Sequence, residues 1–308
     1  MSGGRLALVL HTHMPYVEGF GTWPFGEEWL FEAAATVYLP LLGLLEERGA
    51  PAPLTLSVTP VLADQLAAPG VHERLLSFLR ELRVTTHALD AEGCRASGEP
   101  ALGDAVERAG DDYARAADAL EAMGDGGLAR GLMDHAAWTS SATHAVLPLV
   151  ATDAGVRLQL RAGIEGHRAR RGGAWGGGLW LPECAHAPWL HPLLEEAGVH
   201  ATCVDLTDAL HDTAVVAAPE QLPATSWGTP RTLWTWDGPQ VAELAFAARA
   251  AELRTVAAGV RSGADARAVR ELLALQSSDW TFLVTRDISG PYQAAGPVCS
   301  GGNSNDVT

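Results

Sequence analysis

The sequence predicts an α/β fold in which short buried strands alternate with helices, followed by a helical C-terminal module. Strand-length apolar runs occur at 5–10 and 178–181, and an alternating run occurs at 54–58. Runs that are apolar throughout are typical of strands buried on both faces of a parallel sheet. Segments with helical apolar spacing separate these runs, and two more such segments follow at 238–260 and 265–286.

Polar side chains stand directly after the predicted strands. We also predict strands at 132–138 and 200–204. The polar residues that follow the strands are His11, His13, His144, Glu183 and Asp205. In a barrel of parallel strands, the loops at the carboxyl ends converge on one cavity. The sequence therefore predicts that these side chains meet at the mouth of a barrel.

Glu183 has the neighbours expected of a sugar-cleaving carboxylate. Trp180, His186 and Trp189 lie within a few positions of it. Aromatic rings stack on the C–H faces of sugars, and a carboxylate attacks or stabilises the anomeric carbon. The alternative is that Glu183 merely faces solvent where a strand ends.

The pair His11 and His13 has a second interpretation as half of a zinc site, completed by His144, His186 or Asp205. The other histidines lack the tight spacing that zinc sites usually show. We therefore favour no metal and predict no cofactor.

Helices are predicted between the strands. One runs over 27–48 with a kink or split at Pro40, another over 61–89, and an alanine-rich one over 104–123 that we interpret as an excursion from the barrel. The loop 19–26 carries Trp23 between two phenylalanines. These rings are suited either to stacking on sugar or to packing beneath the loop.

Composition limits the partners. The chain has 308 residues, 37 acidic against 21 Lys and Arg, and a formal charge of −16. This charge argues against nucleic acid or an anionic membrane surface, whereas a neutral polysaccharide is compatible with it. The apolar run at the N-terminus is too short for a signal peptide, and we expect no membrane span and a cytoplasmic protein. The four cysteines lack CxxC spacing and are interpreted as free thiols.

Four segments in order resemble the motifs of glycoside hydrolase family 57, whose members include 1,4-α-glucan branching enzymes. Trp180–His186 (WLPECAH) resembles the nucleophile motif. His11–Tyr16 (HTHMPY), Trp138–His144 (WTSSATH) and Leu275–Trp280 (LQSSDW) resemble the first, second and last motifs. The pattern is most similar to the branching enzymes.

The resemblance implies an incomplete (β/α)7 TIM-like barrel over 1–210, followed by a junction at 211–237. The apolar spacing predicts the helical module over 238–289, and the abundance of Gly, Ser, Pro and Asn predicts a disordered tail at 290–308. The resemblance also implies that Glu183 is the nucleophile of a retaining transglycosylation on an α-1,4-glucan such as glycogen or amylose. The residues it implies for sugar contact are His11, His13, His144, Asp279 and Trp280, and the aromatic character of Trp180 and Trp23 adds these two as predicted sugar contacts. For His144 and Trp280, a place in the core is the alternative.

The family's second catalytic carboxyl is an aspartate in a motif that this chain lacks. Retaining glycosidases need two carboxyl groups, one as nucleophile and one as proton donor. Asp205 is our predicted substitute, with Asp212 and Asp279 as further candidates. The alternative to an active branching-type enzyme is a shortened, inactive protein that binds glucan.

Overall fold

The computed structural model describes residues 7–21, 26–49, 54–173, 175–205, 214–226, 232–263 and 265–288. Trp23, Asp212 and the predicted disordered tail lie outside these ranges, so what was predicted for them stays a prediction. The chain packs into two compact units. The first comprises Met1–Tyr16, Leu54–Leu62 and Ala136–Thr308, and the second comprises Val17–Pro53 and Ala63–His135.

The first unit contains a parallel sheet. Its strands, in spatial and chain order, are β1 (Val9–Thr12), β2 (Thr55–Val58), β3 (Ala136–Ser140) and β4 (Leu179–Trp180). A parallel bridge between Gly178 and Ala201 leads to β5 (Thr202–Asp205), which pairs antiparallel with β6 (Ala214–Ala217). The predicted α/β class with parallel strands is confirmed.

Helices fill the chain between the first three strands. They are α1 (Glu27–Ala33), α2 (Leu39–Arg48), α3 (Pro60–Leu66), α4 (Val71–Ser77), α5 (Val84–Ala96), α6 (Pro100–Met123) and α7 (Gly127–His135). A π-helical turn at 34–38 joins α1 to α2 just before Pro40. Such a turn locally changes the hydrogen-bond register, which accommodates the missing N–H of a proline.

Buried acids of α1 are paired with arginines inside the second unit. Glu27 lies 2.6 Å from Arg74 and Glu28 lies 2.5 Å from Arg83. The segment Glu27–Arg48 has the length and apolar composition of a membrane-crossing helix, although half of that stretch is buried in the structure. This segment is long and apolar enough for a membrane span, so the expectation of no membrane span stays a prediction.

Two predicted boundaries were also wrong. The helix predicted over 61–89 is interrupted at 67–70, where Gly70 adopts a left-handed conformation with φ 73°. The strand predicted over 132–138 begins only at Ala136, because 132–135 belong to α7. The residues that α7 buries have helical spacing, and they are Leu128, Ala129, Leu132 and Met133.

The remaining helices belong to the first unit. They are α8 (Asp153–Arg171), α9 (His191–Glu196), α10 (Trp234–Asp237), α11 (Ala242–Ser262), α12 (Ala266–Leu275) and α13 (Ser278–Arg286). The single helix predicted over 265–286 is therefore divided. The Ser277 hydroxyl accepts a hydrogen bond from the Asp279 N–H and caps α13, which ends one helix and begins another.

The core beneath the sheet joins α8, β4 and α9. Its largest fully buried side chains include Leu147, Leu160, Leu179 and Leu181. Gly178 must be a glycine, because a Cβ there would lie 2.1 Å from Trp138 Nε1. This packing brings the end of β4 close to the end of β3.

His167, on α8, should make the stability of the fold sensitive to acid. It is buried, and neither ring nitrogen has a hydrogen-bond partner among the described residues. Burial, and then the Arg171 charge, lowers the pKa of His167 to about 4. Its unfolded pKa is near 6.5, so the unfolded chain binds a proton first and stability falls as the pH drops from about 6.5 to about 4.

We expect His167→Leu to raise the free energy of unfolding by about 1–2 kcal/mol at pH 7, since an unpaired polar group leaves the core. The gain should grow toward pH 5. Urea unfolding at both pH values measures it, with the exposed His200→Gln as the control variant. An equal or lower stability of His167→Leu at pH 5 would contradict this account.

Candidate active site

The site residues lie at or just after the carboxyl ends of β1, β3 and β4 and in the first turn of α13. Glu183 lies in the short turn Pro182–Cys184 after β4 and has φ 59° and ψ 23°. His144, in the loop after β3, has φ 56°. Non-glycine residues adopt this left-handed region rarely, and such strain is often found at functional sites.

Three imidazoles stack in one column. The ring centroids of His11 and His144 are 5.3 Å apart, and those of His13 and His144 are 3.9 Å apart. Trp180 stacks on His11 at 4.5 Å with the ring planes 8° apart. The structure thus brings together the three histidines that were predicted to meet, and it places Trp180 beside them.

A chain of hydrogen bonds connects β2 to Glu183. Ser57 Oγ lies 3.0 Å from His11 Nδ1, and His11 Nε2 lies 3.2 Å from His144 Nε2. His144 Nδ1 lies 3.0 Å from Ser278 Oγ, and the Ser278 hydroxyl donates to Glu183 Oε1 at 3.0 Å. With Glu183 ionised, the contacts fit one arrangement of protons. His144 donates from Nδ1 to Ser278, His11 donates from Nε2 to His144, and the Ser57 hydroxyl donates to His11 Nδ1 at 3.0 Å rather than to the Thr139 carbonyl at 3.4 Å.

Burial sets the charge states of this cluster. Burial, and then the charge of His13, lowers the pKa values of His11 and His144 well below 6.5, which keeps both rings neutral at pH 7. Burial raises the pKa of Glu183 to about 7; the Ser278 hydrogen bond opposes this rise and the Asp279 charge adds to it. Glu183 thus titrates near neutrality, as catalytic carboxyl groups often do.

A second carboxyl group lies in the cluster. His13 Nε2 lies 3.0 and 3.1 Å from the two carboxylate oxygens of Asp279. The Ser277 hydroxyl also donates to Asp279 at 2.6 Å, and the Thr59 hydroxyl lies 3.2 Å from His13 Nδ1. The first turn of α13 therefore supplies both Ser278 for Glu183 and Asp279 for His13.

Asp205 lies near the turn that holds Glu183, because β5 contacts the segment Pro182–Cys184. Asp205 ends β5, and it acts on Cys184: burial, the neighbouring Cys203 and then the Asp205 charge raise the pKa of that thiol to about 12. The contacts above, all between described residues, do not include Asp205. Trp280 is buried and its indole N–H donates to the Ala274 carbonyl at 2.8 Å, in agreement with the core alternative. Trp189 is 47% exposed.

The zinc interpretation can be compared with the geometry. Within the described ranges, no group of three or more His, Cys, Asp or Glu side chains is arranged to hold a metal ion. His11 and His144 point their Nε2 atoms at each other, and His13 points its Nε2 at Asp279.

Sequence reasoning missed Ser57, Thr59 and Ser278 as members of the cluster. Ser57 and Thr59 lie in and just after β2, whose alternating pattern suggested only a strand. Ser278 lies inside the LQSSDW segment and was passed over in favour of Asp279 and Trp280. A serine pair inside an apolar helical pattern was the available signal, because serine is favoured as a helix cap.

Ser278→Ala should shift the acid limb of any pH–rate profile upward. Without the hydroxyl that stabilises the ionised carboxylate, the pKa of Glu183 should rise further above about 7. Less of the protein would then carry an ionised Glu183 at pH 7, and activity would require a higher pH. Ser262→Ala, at an exposed helix end, is the control. An unchanged profile in Ser278→Ala would show that this hydrogen bond does not set the ionisation of Glu183.

Comparisons with known proteins identify relatives of this chain. The sequence model of glycosyl hydrolase family 57 matches residues 137–254. A 1,4-alpha-glucan branching enzyme of Thermococcus kodakarensis is 36% identical over 196 residues, which are 60% of this chain and 28% of that protein. A probable 1,4-alpha-glucan branching enzyme of Mycobacterium tuberculosis is 32% identical over 239 residues, 69% of this chain and 43% of that protein. The chain thus spans less than half the length of these relatives.

Solved structures share the fold. The crystal structure of a GH57-type branching enzyme from Pyrococcus horikoshii matches with a TM-score of 0.78 and 23% identity, covering 96% of this chain and 88% of that one. The alpha-amylase AmyC from Thermotoga maritima matches with a TM-score of 0.56 and 24% identity, covering 66% of this chain and 40% of that one. These likenesses confirm the predicted fold, an incomplete barrel of parallel strands with a helical C-terminal part.

Proposed function

We propose that this chain, whose residues 137–254 match the sequence model of glycosyl hydrolase family 57, acts on α-1,4-glucans as a retaining, branching-type transglycosylase. A carboxylate oxygen of Glu183 bonds to the anomeric carbon while the glycosidic bond breaks. The leaving oxygen takes a proton from a second carboxyl group. The 6-hydroxyl of another glucan then attacks the anomeric carbon, frees Glu183 and returns its proton to the second carboxyl group.

One observation carries this proposal. Glu183 is a largely buried carboxyl group, 17% exposed, held by Ser278 and lying 3.6 Å from His144. The cluster around it includes the neutral imidazoles of His11 and His144, hydroxyl groups and the flat face of Trp180. Such a surface offers hydrogen bonds and stacking to an uncharged sugar, and a buried carboxylate suits attack on a carbon that becomes positively charged.

Asp279 is the better candidate for the second carboxyl group than Asp205. Its charge acts directly on Glu183, and it is paired with His13 in the same cluster. A carboxylate bonded to an imidazole has a route for exchanging a proton. We therefore assign proton transfer to Asp279 together with His13 in this proposal.

A glucan-binding protein without activity is the second candidate. The sequence lacks the motif that carries the family's general acid, and loss of such an acid costs about 10²–10⁴-fold in rate. Binding through the imidazole column and Trp180 would survive that loss, because it requires no proton transfer.

Incubation of the purified protein with amylose separates these functions. Branching should lower iodine absorbance without new reducing ends, and a debranching enzyme should then release short chains. Hydrolysis would raise the number of reducing ends directly. Maltooligosaccharide binding by calorimetry, with neither chemical change, would support the binding protein, and the absence of both would contradict each proposal.

A further inference from the structure

A buried row of polar side chains runs behind the site and ends at Glu252. Gln159, on α8, and Glu252, on α11, are 0% and 1% exposed. Gln159 Nε2 donates to Gln276 Oε1 at 3.0 Å, and Gln276 Nε2 donates to Glu252 Oε2 at 2.9 Å. Side-chain amides in such a row are rigidly oriented, because each group depends on its neighbours for its hydrogen bonds.

The other end of the row holds the two loops of the site. The Thr143 N–H donates to Gln159 Oε1 at 3.2 Å, and Thr143 immediately precedes His144. Gln276 stands two residues before Ser278, whose N–H donates to the His144 carbonyl at 3.2 Å. Both loops that contact Glu183 are therefore attached to this row.

The row has a fixed direction, set by a backbone group that can only donate. Because the Thr143 N–H is a donor, Gln159 must present its oxygen there and its amide nitrogen to Gln276. Gln276 must then present its own nitrogen to residue 252. Position 252 consequently requires a side chain that accepts a hydrogen bond.

A carboxylate meets this requirement with additional acceptor capacity. Glu252 also accepts from the Ala151 N–H at 2.9 Å and from the Thr152 hydroxyl at 2.5 Å. Three donors converge on one carboxylate, more than a single amide oxygen accepts with good geometry. Gly155 leaves room for it, because a Cβ there would lie 2.2 Å from Glu252 Oε1.

We infer that Glu252 is a positioning residue of the reaction, which acts through Gln276 and Gln159 to fix the spacing of His144 and Ser278 around Glu183. This inference rests on the proposed function. A misplacement of about 1 Å at a reacting centre costs on the order of 10²-fold in rate. Glu252 therefore controls turnover without contact with the glucan.

An exchange of side chains between positions 252 and 276 tests the inference. Glu252→Gln turns an amide nitrogen toward a donor, and Gln276→Glu places two carboxylates face to face. In the double variant, the new amide at 252 donates to the new carboxylate at 276, which still accepts from Gln159. The Ala151 N–H then loses its acceptor, because it shares Glu252 Oε2 with Gln276 in the wild type, so the recovery is partial. We expect each single variant to lose about 10²-fold in kcat with KM changed less than about 3-fold, and the double variant to recover at least tenfold.

Glu243→Gln, on the exposed face of the same helix, is the matched control for loss of charge. Thermal unfolding of every variant separates positioning from stability, since a merely structural role would change Tm and leave kcat of the folded protein intact. A double variant no faster than the single ones, or folded single variants with wild-type kcat, would overturn the inference.

Histidine NMR distinguishes this failure from a failure of the proposed function. The ring signal of His144, assigned with His144→Gln, should move in both single variants and return in the double variant, whether or not glucan is converted. If the wild-type chain is inert but this pattern appears, the proposed function fails and the positioning of His144 stands. If the signal stays fixed in the folded single variants, the positioning role is refuted.

Discussion

Replacement of Glu183 by glutamine is expected to lower glucan transfer by at least about 10⁴-fold. The amide cannot form the glycosyl ester, and no other carboxyl group stands in its place between Ser278 and His144 among the described contacts. Transfer rates on amylose for Glu183→Gln and for the exposed control Glu195→Gln measure the loss. Activity that persists in Glu183→Gln would remove Glu183 as nucleophile.

The same substitution should make the protein more stable at alkaline pH. Burial raises the pKa of Glu183 to about 7, whereas the unfolded pKa lies near 4.5. Between these values the native state binds more protons than the unfolded state, so wild-type stability falls as the pH rises through about 7. Glu183→Gln has no carboxyl group to ionise, so its free energy of unfolding should exceed that of the wild type by roughly 2–4 kcal/mol at pH 8. At pH 4 the two proteins should differ little.

Chemical unfolding at pH 4 and pH 8 tests the gain. A stabilised but inactive Glu183→Gln would show that a strained, desolvated carboxyl group is kept for function at the expense of stability. Equal stability of wild type and variant at pH 8 would mean that the carboxyl group is better solvated than the structure indicates.

The convergence of the histidines on Glu183 was predictable because parallel strands place their carboxyl ends at one edge of a sheet. His144 and Glu183 follow such strands, and His11 lies in β1 next to its carboxyl end. The spacing of these residues along the chain does not show by itself that they are close in space. The prediction of a parallel sheet was therefore what grouped three separate segments into one site.

The break before Ser278 was not predictable from apolar spacing. Leu272, Trp280 and Leu283 are all buried and continue one helical pattern across the break. The division depends on the Ser277 cap, a local hydrogen bond that competes with helix continuation. The site gains from this break, because the first turn of α13 turns Ser278 toward Glu183.

The burial of Gln159 and Glu252 could not be predicted from the sequence, for a different reason. Polar residues on amphipathic helices are usually solvated, and neither their spacing nor their type distinguishes the buried ones. Their burial depends on partners more than 20 positions away, since Glu252 bonds Gln276 and Gln159 bonds Gln276 across 24 and 117 positions. Only tertiary structure supplies those partners.

Asp279→Asn should reduce transfer by about 10²–10⁴-fold, whereas Asp205→Asn should reduce it far less. The asparagine keeps the shape of the side chain but cannot exchange a proton with His13, whose Nε2 lies 3.0 Å from the Asp279 carboxylate. Asp205 ends β5 beside buried cysteines, and its charge acts on Cys184 and Cys203.

Transfer rates with amylose and with an activated glycosyl fluoride separate the possible roles of Asp279. Fluoride leaves without protonation, so a proton donor is needed less, and Asp279→Asn should recover much of its rate on that substrate. A residue that only binds sugar would lose rate equally on both substrates. If instead Asp205→Asn shows the large, fluoride-rescued loss, the proton donor is the residue predicted from the sequence, and the pairing of Asp279 with His13 serves only to orient the imidazole.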